Sequence, residues 1–171
     1  MTFAALLSFT ALAAGGLASA SNTALPACDV GEAALLRLLA ALPEQGALII
    51  SAQPVPRLEL RSSNFSGREG SELPSALINE WGATAPSNLL ESCPHLEDRL
   101  PSGWRYAKPG EEAPINRPTI HFVATPLVRG NVALVQVGFV CRGLCGMATI
   151  DIYHRTAEGW RYVAPAAATI S

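Results

Sequence analysis

Residues 132–154 read VALVQVGFVCRGLCGMATIDIYH, and this stretch decides the fold. Its first part, 132–140, is apolar on both sides of an extended chain except at Gln136, as a central strand of a sheet would be. The segment from Cys141 to Cys145 is short enough to turn the chain back, and 148–154 then read as a second strand. The stretch therefore predicts a β-hairpin with one cysteine on each side of its turn.

Turn-forming residues on both sides extend this hairpin into a larger sheet. The segment 129–131 (Arg-Gly-Asn) joins it to a preceding strand over 119–125, and the segment 157–159 (Ala-Glu-Gly) joins it to a strand over 160–163. Two adjacent hairpins predict a C-terminal β-meander. The chain from about 165 to 171 is expected to be a disordered tail.

The N-terminal half has a helical pattern instead. Residues 31–42 are good helix formers with leucines along one face, Asp29 stands where a cap is needed, and Pro43 ends the pattern. Further elements are predicted as strands over 47–52 and 58–62 and as helices over 72–81 and 87–98, the last interrupted by Pro94. The prediction is an α+β fold in which an N-terminal helix packs on a mainly antiparallel sheet.

The beginning of the chain has the pattern of an export signal. Residues 1–28 carry no charged side chain, and an apolar core over 3–12 is followed by small residues ending in Ala18-Ser19-Ala20. This small-x-small pattern predicts a signal peptide over 1–20, removed to leave one α+β domain over 21–171. The apolar run is short for a membrane span, so no transmembrane segment is expected in the mature chain.

A second export route competes with the first. Leu25-Pro26-Ala27-Cys28 loosely matches the pattern at which a lipid is attached to cysteine, although Pro26 is unusual there. The main expectation is therefore a periplasmic or secreted protein, and the alternative is a lipoprotein anchored at Cys28.

The four cysteines are expected to form two bridges. Thiols are oxidised outside the cytoplasm, and four cysteines allow three pairings. Because Cys141 and Cys145 flank a predicted turn, local geometry favours their bridge and leaves Cys28 with Cys93. Loop entropy assigns about 2 kcal/mol to the short bridge and about 4 kcal/mol to the long one, which makes Cys28–Cys93 the main disulfide staple of the fold.

The segment 133–160 combines an apolar strand, the sequence CRGLCG, a second strand and a final Gly159-Trp160-Arg161. It resembles a loose group of uncharacterised exported bacterial proteins that share a Cys-x-x-Leu-Cys-Gly turn and a C-terminal strand with a Gly-x-Trp pattern. Here Arg142 stands where glycine is common, and Trp160 follows its glycine directly. The resemblance covers about a fifth of the chain. It supports the hairpin and its bridge and implies no activity.

Charge and motifs exclude several classes of function. The chain has 12 basic and 14 acidic residues without clusters of like sign, giving a net charge of −2, so no nucleic-acid partner is expected. It contains no phosphate-binding loop, no His-Glu-x-x-His and no Gly-x-Ser-x-Gly, and no cofactor is predicted. The absence of a catalytic pattern argues against an enzyme and leaves that question open.

The leading hypothesis is a non-enzymatic binding module of the cell envelope or periplasm, of the inhibitor, immunity or assembly type. Its partner would be another envelope protein, contacted by Arg142 and Leu144 at the tip of the bridged turn. The alternative is a thiol-redox or copper-binding envelope protein that uses Cys141 and Cys145, with Met147 and His154 as further ligands.

Two weaker patterns are explained more simply as structural features. A hydrolase would require His121 and Asp151 to meet in one pocket, whereas an isolated histidine in a sheet is more often structural. Two Trp-Arg-Tyr triplets, at 104–106 and 160–162, are expected to pack their aromatic rings on the sheet rather than form an exposed patch.

Overall fold

The computed structural model of the chain describes residues 24–42, 49–50, 58–60, 73–84, 87–107, 119–141 and 146–170. The helices are α1 (Ala24–Ala40), α2 (Ser75–Ala83) and α3 (Leu89–Ser92), and a 3-10 helix spans Pro94–Arg99. The strands are β1 (Ile49–Ile50), β2 (Arg105–Tyr106), β3 (Thr119–Val123), β4 (Leu127–Arg129), β5 (Val132–Cys141), β6 (Gly146–Thr156) and β7 (Gly159–Ile170). The predicted signal peptide over 1–20 lies outside the described residues.

These strands form one sheet in the order β2-β1-β3-β5-β6-β7, with β4 also paired to β5. Strand β1 is parallel to both of its neighbours, and the other pairings are antiparallel. Strands β5 and β6 pair from Val132 opposite His154 to Val140 opposite Gly146. The predicted mainly antiparallel sheet and C-terminal meander are therefore confirmed.

Helices cover this sheet on both faces, which we term the α1 face and the α2 face. The α1 face places Ala133, Val135, Val137 and Tyr153 in a buried cluster with Val30, Ala34 and Leu35 of α1. The α2 face places Leu134, Ile150 and Ile152 against Leu77 and Trp81 of α2. Alternate residues of β5 thus enter two different buried clusters, which is why that strand is apolar on both sides.

Helix α1 begins earlier than the sequence indicates. It starts at Ala24, so Asp29 lies inside the helix and the predicted cap at Asp29 is wrong. Pro26 occupies the first turn, where its missing N–H removes no hydrogen bond from the helix. Further along, Gly31 lies so close to Leu89 that a Cβ at this position would clash with the leucine side chain. The absence of a side chain at Gly31 therefore lets α1 approach α3 closely.

A disulfide between Cys28 and Cys93 confirms the predicted long bridge, with the two Cα atoms 5.7 Å apart. Both cysteines are buried. Cys28 lies in α1 and Cys93 directly follows α3, so the bridge holds the two helices together at the edge of the α1 face. Pro94 separates α3 from the 3-10 helix, as the sequence predicts.

A short irregular segment completes the α2 face. The sequence predicts a strand over 58–62, but residues 58–60 form no strand and 61–62 lie outside the described ranges. Instead the Leu58 N–H donates a hydrogen bond to Gln136 Oε1 (3.1 Å), and the Trp81 indole N–H donates to the Leu58 carbonyl (2.8 Å). The backbone of Leu58 is thus satisfied by side chains rather than by a neighbouring strand.

The C-terminal end of the chain differs from its prediction. A disordered tail is expected from about 165, yet β7 continues to Ile170 and pairs with β6 along its length. Pro165 and the alanines after it are poor strand formers, which explains the prediction. Pairing with β6 overrides that preference, and two register shifts accommodate the proline on the outermost strand of the described sheet. Within the described ranges, no helix is both long and apolar enough to cross a membrane.

Candidate functional site

The predicted contact loop lies between two strands whose positions are known. Strand β5 ends at Cys141 and β6 begins at Gly146, and the two strands are antiparallel neighbours. We term this end of the sheet the cysteine end. Arg142, Leu144 and Cys145 lie outside the described residues, so their partner contacts and the Cys141–Cys145 bridge stay predictions.

Two of the alternative metal ligands are far apart. Met147 and His154 both lie on β6, seven residues from each other, which separates them by about 23 Å. They also point to opposite faces of the sheet, because side chains alternate along a strand. His154 therefore cannot share a metal ion with Met147 and the cysteine end. Nor do the described parts of the chain contain any group of three His, Cys, Asp or Glu side chains suited to a metal.

His121 and Asp151 line one cavity but do not form a catalytic pair. In the strand register, His121 lies opposite Phe139 and Asp151 lies opposite Val135, so they differ by four positions along β5 and by two strands across the sheet. These offsets correspond to about 13 Å and about 10 Å, respectively. No hydrogen bond can join side chains at that separation, and the acid–base dyad that a hydrolase would require is not assembled.

The cavity itself lies between α1 and the sheet and has a volume of about 370 Å³. Its roof is formed by Leu38 in the C-terminal half of α1 and by Ala41 just after the helix, and the sheet forms its floor with Val137 and Phe139. Its walls are mainly apolar. A volume above about 300 Å³, apolar walls and a few polar groups are typical of a small-molecule binding site.

Arg37 and Asp151 place an ion pair at the wall of this cavity. The Arg37 Nη1 donates a hydrogen bond to Asp151 Oδ2 at 2.8 Å. The Asp151 side chain is only 2% exposed, whereas the Arg37 side chain is 45% exposed. The guanidinium also lies 3.6 Å from the centre of the Tyr162 ring, an arrangement that fixes its plane. The carboxylate is therefore covered, and the cation is the charge that solvent and ligands can reach.

Burial dominates the proton equilibria of this cluster. It raises the pKa of Asp151 above its ordinary value, although the Arg37 charge and a hydrogen bond from Thr149 act in the opposite direction. Burial and the nearby Asp151 charge raise the pKa of Tyr153 to about 12. Tyr153 packs edge-on against Tyr162, with ring centroids 5.9 Å apart. The phenol is therefore neutral across the physiological range and stabilises the cluster by packing.

A neutral histidine lies farther along the same cavity. His121 is 4% exposed, and its ring packs near those of Trp104 and Phe139, with centroids 6.1 and 6.0 Å away. Burial lowers the pKa of His121, so the ring is uncharged at neutral pH. Its Nδ1 atom is buried without a hydrogen-bond partner in the described structure. The cavity thus has a charged region at Arg37 and an uncharged polar atom at His121.

Exposed apolar side chains are concentrated at the cysteine end. Val140 and Met147 are each about 40% exposed, and Ile170, which pairs with Met147, is 82% exposed. The two Trp-Arg-Tyr triplets, by contrast, are not paired with each other. Their four rings, Trp104, Tyr106, Trp160 and Tyr162, are partly buried against the α1-face cluster, which confirms the prediction that they pack on the sheet.

Sequence reasoning did not identify Arg37 as part of a site. A signal was present, because Asp151 interrupts an otherwise apolar strand pattern and a buried carboxylate requires a cationic partner. Which of the basic residues supplies that partner depends on how α1 docks on the sheet, and local patterns contain no information about docking.

No protein family, no curated protein and no solved structure matches this chain. The resemblance of the cysteine turn to exported bacterial proteins therefore stays a prediction.

Proposed function

We propose that this chain is an exported, non-enzymatic binding module of the cell envelope that contacts a protein partner through the cysteine end. The observation that carries the proposal is the exposure of three apolar side chains at that end of the sheet, Met147 and its strand partner Ile170 on one face and Val140 on the other. Exposed apolar side chains grouped at one place are typical of interaction surfaces. Arg142 and Leu144, the predicted contact residues, belong to the segment that joins the two strands at this end.

The Cys28–Cys93 bridge supports an exported location, because structural disulfides persist mainly in oxidising compartments. It also favours secretion over lipid anchoring. Lipid attachment would require the Cys28 sulfur, which is bonded to Cys93 in this structure. Residues 24–27 already belong to α1, and cleavage directly before Cys28 would remove them.

The strand register supports a paired role for the remaining cysteines. Val140 of β5 pairs with Gly146 of β6, so Cys141 and Cys145 belong to the short stretch of sequence that joins two paired strand ends. The ends of two paired strands are about as far apart as the Cα atoms of a disulfide. A bridged, rigid turn lowers the entropy lost on binding a partner, which agrees with a contact role for its tip.

Site-specific photocrosslinking in cells tests the proposal. A photoreactive phenylalanine analogue is placed at Met147 or Ile170, and at Glu158 as a control, because Glu158 is exposed in the turn at the opposite end of β6 and β7. We expect one discrete adduct from the first two positions and none from Glu158. Substituting Arg142→Glu with Leu144→Ala should remove the adduct, whereas Glu158→Arg should not. Equal labelling from all three positions would contradict the proposal.

Thiol titration separates this function from the thiol or copper alternative. We expect the purified oxidised protein to show no reactive thiol and to bind no Cu(I), because the proposal includes a bridge between Cys141 and Cys145 in addition to Cys28–Cys93. Two reactive thiols at Cys141 and Cys145, or stoichiometric copper, would favour the alternative. An intact mass measured with and without reduction reports the cleavage site, lipidation and the number of bridges together.

A further inference from the structure

We propose that the cavity between α1 and the sheet binds a small amphipathic molecule with an apolar body and a single carboxylate, and that Arg37 binds the carboxylate. Met147 borders both this cavity and the proposed contact at the cysteine end, but the ligand assignment rests on Arg37 and His121 and not on that contact.

The volume and the lining of the cavity indicate what kind of ligand body it can hold. Its volume of about 370 Å³ lies in the range of ligand pockets, and its roof and floor are formed by aliphatic and aromatic side chains such as Leu38, Val137 and Phe139. Binding of a hydrocarbon chain between apolar walls is favourable because it removes apolar surface from water. A flexible aliphatic chain suits this mainly apolar space under a helix better than a polar metabolite does.

The charged side chains at the cavity wall indicate which head group the ligand carries. Among the described residues that line the cavity, the charged side chains are Arg37 and Asp151. Asp151 is covered and already accepts a hydrogen bond from Arg37, so a cationic ligand cannot reach it. Arg37 is about half exposed and has five N–H donors, of which the Asp151 contact uses one. The outward donors suit a carboxylate, and stacking on Tyr162 orients them in advance.

The buried histidine independently indicates an occupant. Buried polar atoms nearly always have a hydrogen-bond partner in the protein, in ordered water or in a ligand. His121 lines the cavity, is 4% exposed and has a buried Nδ1 with no partner in the described structure. A ligand or an ordered water in the cavity that His121 lines is one source of that partner.

Calorimetric titration of the purified mature protein tests the inference with three ligands that share one apolar body. Decanoate, decan-1-ol and decylamine differ only in the head group and are used below their micelle concentrations. We expect decanoate to bind with one-to-one stoichiometry and decan-1-ol to bind about tenfold more weakly or worse, because a charge-assisted hydrogen bond is lost. Decylamine should bind most weakly, since its charge repels Arg37.

Two adjacent alanines, the last residue of α1 and the residue that follows it, provide a matched pair of variants. Ala41 lines the cavity and Ala40 does not, and both are exposed. Ala41→Trp should abolish decanoate binding, whereas Ala40→Trp should leave it unchanged. A ligand adsorbed elsewhere on the surface would not distinguish these variants.

The double variant Arg37→Met with Asp151→Asn tests the head-group assignment. It removes both charges, so no unpaired carboxylate is left buried and the fold is retained. We expect the preference for decanoate over decan-1-ol to disappear while binding of decan-1-ol persists. Absence of decanoate binding, equal affinity for all three ligands, or equal effects of the two alanine variants would overturn the inference. None of these outcomes depends on the photocrosslinking result.

Discussion

The two faces of the sheet each bury one polar side chain of the central hairpin, but they satisfy it in different ways. On the α2 face, the neutral amide of Gln136 accepts a hydrogen bond from the Leu58 N–H, and the buried Trp81 donates one to the Leu58 carbonyl. On the α1 face, the carboxylate of Asp151 requires a cation, and Arg37 supplies it from a side chain that stays about half exposed. The neutral amide is thus satisfied by a buried backbone donor, whereas the carboxylate needs a cation that stays partly in solvent beside the cavity.

Removal of the Cys28–Cys93 disulfide should have the largest effect on the free energy of unfolding. Replacing Cys28 and Cys93 together by alanine should lower the free energy of unfolding by about 4 kcal/mol, because the unfolded chain regains the entropy of a long loop. Urea unfolding in oxidising buffer measures the change.

The matched control is the pair Cys141→Ala and Cys145→Ala, which opens a short loop and should cost only about 2 kcal/mol. An equal or larger loss from this control would show that the long bridge is not the main staple of the fold.

Breaking the ion pair between Arg37 and Asp151 should have the second-largest effect on stability. Arg37→Met should lower the free energy of unfolding by about 2 kcal/mol at neutral pH, because it leaves Asp151 buried without its cation. We take a value below that of a fully buried pair, since Arg37 is partly screened by solvent. Adding Asp151→Asn should restore most of the loss. If the single and double variants are equally unstable, the cost comes from packing against Tyr162 and not from the carboxylate.

The corresponding change on the α2 face should be smaller. Gln136→Leu leaves the Leu58 N–H without its acceptor and should cost about 1 to 2 kcal/mol. Because no charge is involved, this loss should be independent of pH, whereas the loss caused by Arg37→Met should shrink on acidification as Asp151 takes up a proton. Parallel urea titrations at two pH values test this contrast. A similar pH dependence for both variants would contradict the assignment of the Arg37→Met loss to the Asp151 charge.

The smallest effect is the contribution of Asp151 to the pH dependence of stability in the unaltered protein. Its pKa is raised on folding, so the folded state holds the proton more tightly than the unfolded state does. The resulting stabilisation is present below the ordinary pKa of an aspartate and is lost as the pH rises through the folded-state pKa. Relative to Asp151→Asn, the wild-type free energy of unfolding should therefore decline over that interval. A relative increase would mean that the Arg37 charge outweighs burial.

Much of this architecture could be predicted because it is determined by neighbouring residues. Glycine at 130 and at 159 adopts a positive φ in the turns, so the hairpins could be placed from the sequence. The alternation in β5 and the stop at Pro94 are local signals of the same kind. Pairing Cys28 with Cys93 required only that the other two cysteines flank one turn.

The features that could not be predicted depend on contacts between distant residues. Whether residues 165–170 form a strand is decided by the exposed edge of β6 and not by their own composition. The cavity and the contact of Arg37 with Asp151 exist only because α1 docks on the α1 face, which joins residues 114 positions apart. Residue periodicity predicts that a helix is amphipathic, but it does not predict which strand its arginine will meet.

The position of β1 constrains the order in which the polypeptide can acquire its structure. Residues 49–50 lie between β2 and β3, so their parallel pairing waits until 105–106 and 119–123 have been synthesised. The hairpins at the other side of the sheet have small sequence separations and should assemble first. A nascent chain that ends before residue 105 has neither partner of the early strand, and one that ends before residue 119 still lacks β3 and the hairpins on which the helices pack.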